Sequence, residues 1–169
     1  MNSITLAEIL NEALMDEYKA RDTYAKIIDT FGPVRPFINI VEAEQRHIEL
    51  LLPLYDKYAI PLPVEPDPKR MSVPESLLDA CQMGVEEELA NVAMYDRLIA
   101  ATDLPDLIEV LQQLQAASRD HHLPAFQRCA ERGGPPQGRQ GFGRGSDHGT
   151  AMGRGRGIGR GGRGFKARS

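Results

Sequence analysis

The sequence predicts an all-α protein, an antiparallel four-helix bundle built from two helical hairpins and followed by a disordered C-terminal tail. Four segments repeat apolar residues at helical spacing, and the breaks between them contain glycine and proline rather than alternating strand patterns. The composition changes abruptly near Arg132, after which 14 of the 16 glycines occur. We therefore expect a helical domain over residues 1–132 and a disordered tail over residues 133–169.

Capping and terminating residues set the expected helix boundaries. Thr5 and Glu8 have the spacing of a capping box, and Gly32 followed by Pro33 ends the first helix. Pro124 interrupts the fourth segment and predicts a kink there. A proline-rich connector separates the hairpins, long enough to cross the bundle end or run along its side. The connector is expected over residues 60–68, after a second helix over about 35–58. The third helix is expected over about 72–101, opened by a second capping box from Ser72 to Glu75, and the fourth over about 103–132.

The charge is unevenly distributed along the chain. Residues 1–131 hold 11 basic and 23 acidic residues, whereas residues 132–169 hold 9 basic and 1 acidic residue. Arg/Gly-rich (RGG-like) tails such as this one can bind along the phosphate backbone of nucleic acids, and Phe142 and Phe165 are available to stack on bases. Nucleic acid is therefore one predicted partner. The alternative is a solubilising tail, which could also fold back onto the acidic helices.

Several protein classes do not fit this sequence. The N-terminus lacks the pattern of a secretory signal, and no apolar run is long enough to span a membrane, so we expect a cytoplasmic protein without a membrane partner. Cys81 and Cys129 are the only cysteines, which excludes a disulfide framework or a zinc ribbon. We interpret both as small buried residues. The alternative is a redox disulfide, because they fall at similar depth on antiparallel helices.

The two hairpins resemble each other in sequence, which indicates an internal duplication. In the first helix Glu17 precedes Tyr24 by seven residues, and in the third helix Glu88 precedes Tyr95 by seven. Each pair lies on one helical face two turns apart. Taken singly, either glutamate would be an ordinary solvated residue and either tyrosine a core aromatic whose hydroxyl needs a partner. The repetition favours a common role.

The second and fourth helices repeat a different pattern. Residues 43–47 align with residues 117–121, so that His121 matches His47 while Ser118 replaces the counterpart of Glu44. His47 alone would more often be a satisfied core histidine. Taken together, three carboxylates and two imidazoles are predicted to point inward at mid-helix, where unpaired charges are costly and a divalent metal would compensate them. The predicted ligands are Glu17, Glu44, His47, Glu88 and His121. His122 and Asp120 could substitute only if the kink at Pro124 rotates the helix.

At these residues the sequence resembles the rubrerythrin-like branch of the ferritin-like superfamily. In that pattern two helices each supply one Glu and the other two each supply Glu-x-x-His, and together they bind two iron or manganese ions. Ser118 departs from the pattern, and the cysteine quartet of a rubredoxin domain is absent. The closest resemblance is therefore to a small ferritin-like family, with an asymmetric site that lacks one bridging carboxylate.

The resemblance implies a non-haem metal oxidoreductase that acts on peroxide or oxygen and takes electrons from an unidentified donor. It implies iron or manganese as cofactor, as one or two ions, and homodimerisation. Tyr24 and Tyr95 would hydrogen-bond carboxylate ligands or pass an electron or proton. The alternative is a non-catalytic metal-binding or interaction module whose tail contacts an anionic partner, and Ser118 favours this alternative.

Overall fold

The structure is a computed structural model that describes residues 4–134, and this part of the chain is all-helical, as predicted. Residues 4–134 contain no β-strand, and none of their helices has the length and apolar character needed to cross a membrane. The predicted tail lies outside the described residues except for Gly133 and Gly134. The helices are α1 (Leu6–Phe31), α2 (Phe37–Lys57), α3 (Leu77–Ala100), α4 (Pro105–Ala117) and α5 (Leu123–Glu131), with a 3-10 turn at Pro68–Arg70 and a π turn at Ser118–His122.

The ends of α1 agree with the sequence, whereas the start of α3 does not. Thr5 and Glu8 form the predicted capping box, and Gly32 ends α1 with a φ of 91°. The capping box predicted at residues 72–75 is wrong, because α3 begins after Ser76, whose hydroxyl accepts the backbone N–H of Asp79 at 3.1 Å. Pro74 disfavours helical geometry at the residue before it, so the chain stays extended until the next residue that can cap a helix.

The helices pack as two pairs. α1 lies against α2, and α3 lies against α4 and α5, while α1–α3 and α2–α4 contacts join the pairs. The proline-rich connector runs beside α1, where Lys26 Nζ donates to the carbonyl oxygens of Lys69 and Met71 and Arg21 pairs with Glu65. The connector therefore runs along the side of the helices and does not cross their end.

Two apolar clusters fill the interior, one towards each end of the helices, and polar residues occupy the middle. The first cluster includes Leu10, Leu14, Leu51, Tyr95, Leu98, Leu111 and Leu114. The second includes Tyr24, Ile27, Phe37, Ile40, Cys81, Phe126 and Cys129. Each long helix thus has buried apolar residues on both sides of its central polar ones, so the polar residues are held between two packed regions.

The fourth predicted helix is divided by the π turn just before Pro124. In this turn the backbone N–H of Leu123 bonds the carbonyl of Ser118, five residues back rather than four. Pro124 has no N–H to give to the carbonyl four residues before it, and its ring crowds that carbonyl, so the wider turn relieves a clash that a regular helix would contain. The turn takes up one extra residue and thereby rotates the faces of α4 and α5 relative to each other.

Candidate metal centre

Five buried side chains from α1, α2, α3 and the π turn form two groups that share one carboxylate. The first group is Glu17, Glu44 and His47, and the second is Glu44, Glu88 and His122. Within each group the potential ligand atoms all lie within 4.8 Å of one another. Each group offers two carboxylates and one imidazole, the donor types that suit iron and manganese.

The first group joins α1 to α2. Glu44 and His47 are one turn apart on α2, and His47 Nδ1 lies 2.8 Å from Glu44 Oε2 and 3.0 Å from Glu17 Oε2. All three side chains are buried, with Glu17 only 1% exposed. The spacing of three residues places a glutamate and a histidine on the same face of a helix, as the sequence indicated.

The second group joins α2 to α3 and the π turn. His122 Nδ1 lies 3.2 Å from Glu44 Oε1 and 3.5 Å from Glu88 Oε1. Neither contact has the alignment of a hydrogen bond, so His122 Nδ1 and Glu88 Oε2 are buried polar atoms without a partner in the described part of the chain. The rings of His47 and His122 are stacked, with centroids 5.5 Å apart.

The prediction that His121 faces the interior is wrong. Its side chain is exposed and it belongs to neither group, whereas the adjacent His122 is 4% exposed and belongs to the second. The reason is the π turn, since the extra residue that it accommodates moves the inward-facing position from 121 to 122. The sequence signal for this shift is Pro124, because a rotation of the helix at this residue is the condition under which His122 turns inward. Asp120, the other residue that such a rotation could bring in, is exposed.

Ser118 occupies the position where the resemblance calls for a fourth carboxylate. Its hydroxyl donates to Asn91 Oδ1 at 3.1 Å, and Asn91 in turn donates to Asp16. Ser118 therefore joins a polar chain beside the centre and belongs to neither group. The two groups nevertheless have the same donor types, two carboxylates and one imidazole, because Glu44 belongs to both.

The two tyrosines contact the centre across the helix pairs. Tyr24 of α1 donates to Glu88 of α3 at 3.3 Å, and Tyr95 of α3 donates to Glu17 of α1. Each tyrosine thus binds the glutamate of the other pair rather than the one on its own helix, and the arrangement repeats the internal duplication in space. Both hydroxyls are buried, and burial raises their pKa well above the usual value, so they stay protonated as donors.

Three ionisable residues of the centre have pKa values far from their usual ones. Burial, and then the neighbouring charge of Glu44, raises the pKa of Glu17 to about 8. Burial opposes ionisation of Glu44 as well, but the close imidazoles of His122 and His47 outweigh it and lower the pKa of Glu44 to about 2. Burial likewise disfavours charge on His47, yet its two carboxylate partners raise its pKa to about 10. Without metal, protons supply part of the positive charge that balances the carboxylates.

Two openings reach this centre from different sides. A groove of about 380 Å³ between α2 and the α4–α5 segment is lined by His47 and His122, among others. A much smaller cavity of about 20 Å³ between α1 and α3 is lined by Tyr24 and Glu88. The smaller cavity has room for about one water molecule, and therefore for an oxidant of similar size.

The residues present fit a metal centre. Glu88 Oε2 and His122 Nδ1 are buried and lack partners within residues 4–134, and such atoms are uncommon in folded proteins and cost free energy. A cation bound between Glu44, Glu88 and His122 would satisfy both atoms. The sequence predicted four of the five residues, Glu17, Glu44, His47 and Glu88, and gave His122 only as a substitute that required rotation of the helix at Pro124.

Comparisons with known proteins relate the chain to one family. It is 32% identical over 136 residues to the uncharacterized protein MJ0754 of Methanocaldococcus jannaschii, and the match covers 72% of each chain. The chain belongs to the MJ0754 family. A crystal structure of hypothetical protein MJ0754 from Methanococcus jannaschii matches with a TM-score of 0.68 and 29% identity, over 78% of this chain and 84% of that one. The two proteins therefore share an overall fold, while no family model matches the chain.

Proposed function

We propose that this member of the MJ0754 family is a ferritin-like four-helix bundle that binds two iron or manganese ions and reduces peroxide or oxygen. The observation that carries the proposal is the position of Glu44, whose two oxygens face two histidines in two otherwise separate groups. A carboxylate shared in this way is the ligand that bridges two ions in dinuclear sites. Bound iron or manganese would supply the redox chemistry that the side chains lack.

The remaining residues have roles that follow from their contacts. Glu17 and His47 would hold one ion, and Glu88 and His122 the other. Tyr24 and Tyr95 donate hydrogen bonds to the outer glutamates and so orient them, which is how groups behind metal ligands usually act. The small cavity beside Tyr24 and Glu88 has room for a molecule of the size of peroxide or oxygen next to the second group.

Charge balance leaves the proposed centre able to bind an exogenous anion. Three carboxylates face the four positive charges of two divalent ions, so the centre would retain net positive charge. An anion such as hydroperoxide or hydroxide would restore neutrality. Ser118, where a fourth carboxylate would otherwise stand, leaves this charge for an exogenous ligand.

A matched pair of histidine variants tests the proposal. Anaerobic titration of the metal-free protein with Fe²⁺ or Mn²⁺ should reach two ions per chain, and the loaded protein should consume peroxide. His122→Ala should bind one ion and consume peroxide at least about tenfold more slowly. The substitution removes a metal ligand itself, and loss of a group that only supports a ligand already costs about tenfold or more. His121→Ala should behave as the wild type, because that side chain is exposed. Absence of metal binding, or equal effects of the two substitutions, would refute the dinuclear centre.

A further inference from the structure

Cys81 of α3 and Cys129 of α5 are joined as a disulfide, with Cα atoms 5.7 Å apart. Our main interpretation of them as unpaired core residues is therefore wrong, and the alternative that they bond is correct. The two residues differ in exposure, since Cys81 is 0% exposed and Cys129 is 4% exposed. Cys129 also lines a surface groove whose lining does not include Cys81.

The close approach of α3 and α5 brings the cysteines together. The site residues Glu88 and His122 are in contact, and two turns further along the helices Cys81 meets Cys129. Between them Gly84 lies against Phe126, where a Cβ on residue 84 would come within 2.5 Å of the ring. Only glycine permits this separation of the helices. The disulfide consequently lies about 10 Å from the metal centre along the same helix face.

The groove beside Cys129 is strongly basic. It has a volume of about 400 Å³, and its lining includes Arg35, Arg128 and Arg132. None of the lining residues is acidic. None of these arginines has an ion-pair partner among residues 4–134, whereas Arg21, Arg97 and Arg119 each pair with a carboxylate. In a domain with 12 more acidic than basic residues up to position 131, this local excess of positive charge is exceptional.

We propose that Cys81–Cys129 is a redox-active disulfide that is reduced at Cys129 by a small anionic thiol bound in the arginine-lined groove. Thiol–disulfide exchange requires a thiolate to reach a disulfide sulfur, and reactive cysteines sit in electropositive, partly accessible surroundings. The arginines raise the local concentration of anions, and a thiol that also carries a carboxylate, sulfonate or phosphate gains most from them. The groove is large enough for such a molecule.

The exchange proceeds in two balanced steps. The incoming thiolate forms a bond to Cys129 Sγ, the bond between the two protein sulfurs breaks, and its electron pair goes to Cys81 Sγ, which takes up one proton. A second thiolate then attacks the external sulfur of the mixed disulfide, which releases Cys129 and leaves it to take up the second proton. The protein gains two electrons and two protons, and two external thiols leave as one disulfide.

This proposal goes beyond the metal chemistry and does not depend on it, since neither cysteine nor any of the three arginines belongs to the metal groups. Its test therefore uses the full-length, metal-free protein. The protein is treated with three small thiols of different charge: 3-mercaptopropionate, 2-mercaptoethanol and cysteamine. Free protein thiols are counted over time by alkylation and mass spectrometry, and rate constants are expressed per thiolate concentration.

We expect the anionic thiol to react at least about tenfold faster than the cationic one at low ionic strength, and the difference to shrink as salt is added. Arg128→Gln should reduce the ratio several-fold. Arg70→Gln is the control, because Arg70 is also unpaired but lies on the 3-10 turn and not in this groove. Both arginines are exposed, so neither substitution should disturb folding.

Three results would overturn the proposal. The first is a disulfide that no thiol reduces until the protein unfolds, which would make it an inert structural bond. The second is reduction at rates independent of thiol charge. The third is a charge preference that Arg128→Gln and Arg70→Gln alter equally, which would trace it to the whole protein and not to the groove.

Discussion

Replacement of the shared carboxylate, Glu44→Gln, is the most direct test of the centre. Glutamine keeps the size of the side chain and removes the charge that faces His47 at 2.8 Å and His122 at 3.2 Å. Because Glu44 belongs to both groups, each loses one of its three donors. We therefore expect both ions to bind more weakly, whereas loss of a ligand to a single ion would weaken only one.

The expected magnitudes follow from the burial and the contacts of Glu44. Loss of a group that only supports a ligand costs about 10–100-fold in metal affinity, so loss of the shared ligand should cost at least about 100-fold for each ion. Removing one partner of a buried ion pair costs about 3–5 kcal/mol. For the metal-free protein we expect the lower value, about 3 kcal/mol, because His47 keeps its contact with Glu17 at 3.0 Å.

The measurements are a metal titration and urea unfolding in the presence of a chelator. Glu49→Gln provides a matched control, since Glu49 lies on the same helix, is exposed and, within the described residues, accepts a hydrogen bond only from Gln45. The control should change neither quantity appreciably. If Glu44→Gln binds one ion with wild-type affinity, Glu44 is not shared between two ions. If its metal-free stability equals that of the wild type, the carboxylate is not paired as the structure has it.

Three further predictions concern the same region. The pKa of Glu17 is about 8 in the folded protein against 4.5 when unfolded, and the pKa of His47 is about 10 against 6.5. Because the folded state therefore binds more protons, the metal-free protein should lose stability as the pH rises from about 5 to about 10. Urea unfolding at pH 5, 7 and 9 that shows constant or rising stability would contradict this. Ser118→Glu should lower the stability of the metal-free protein by adding a buried charge, yet it should tighten the binding of two divalent ions. The melting temperature should therefore fall in the chelator-treated protein and rise in the metal-loaded protein. Shifts in the same direction would show that the missing carboxylate does not set the charge balance of the centre. Gly84→Ala should destabilise the protein by about 1–3 kcal/mol through its clash with Phe126, which thermal unfolding would measure, and an unchanged midpoint would show that the helices lie further apart.

Local sequence determined the helices and most of the centre. Hydrophobic periodicity and capping residues define α1, α2, the end of α3 and the start of α4 within a few residues, because these signals act between neighbours along the chain. Glu44 and His47 lie three residues apart, which places them on one helical face wherever that helix packs. Buried glutamates at repeated positions, Glu17 and Glu88, could likewise be recognised from the duplicated pattern.

Tertiary structure decided which histidine completes the centre, how the tyrosines pair and whether the cysteines meet. The choice between His121 and His122 depends on how the backbone before Pro124 accommodates its missing N–H, and a π turn shifts the register by one residue where a kink need not. Tyr24 reaches Glu88 and Cys81 reaches Cys129 only across separate helices, so their contacts depend on helix separation and rotation. Those quantities arise from packing among many side chains at once, and no local pattern in the chain encodes them.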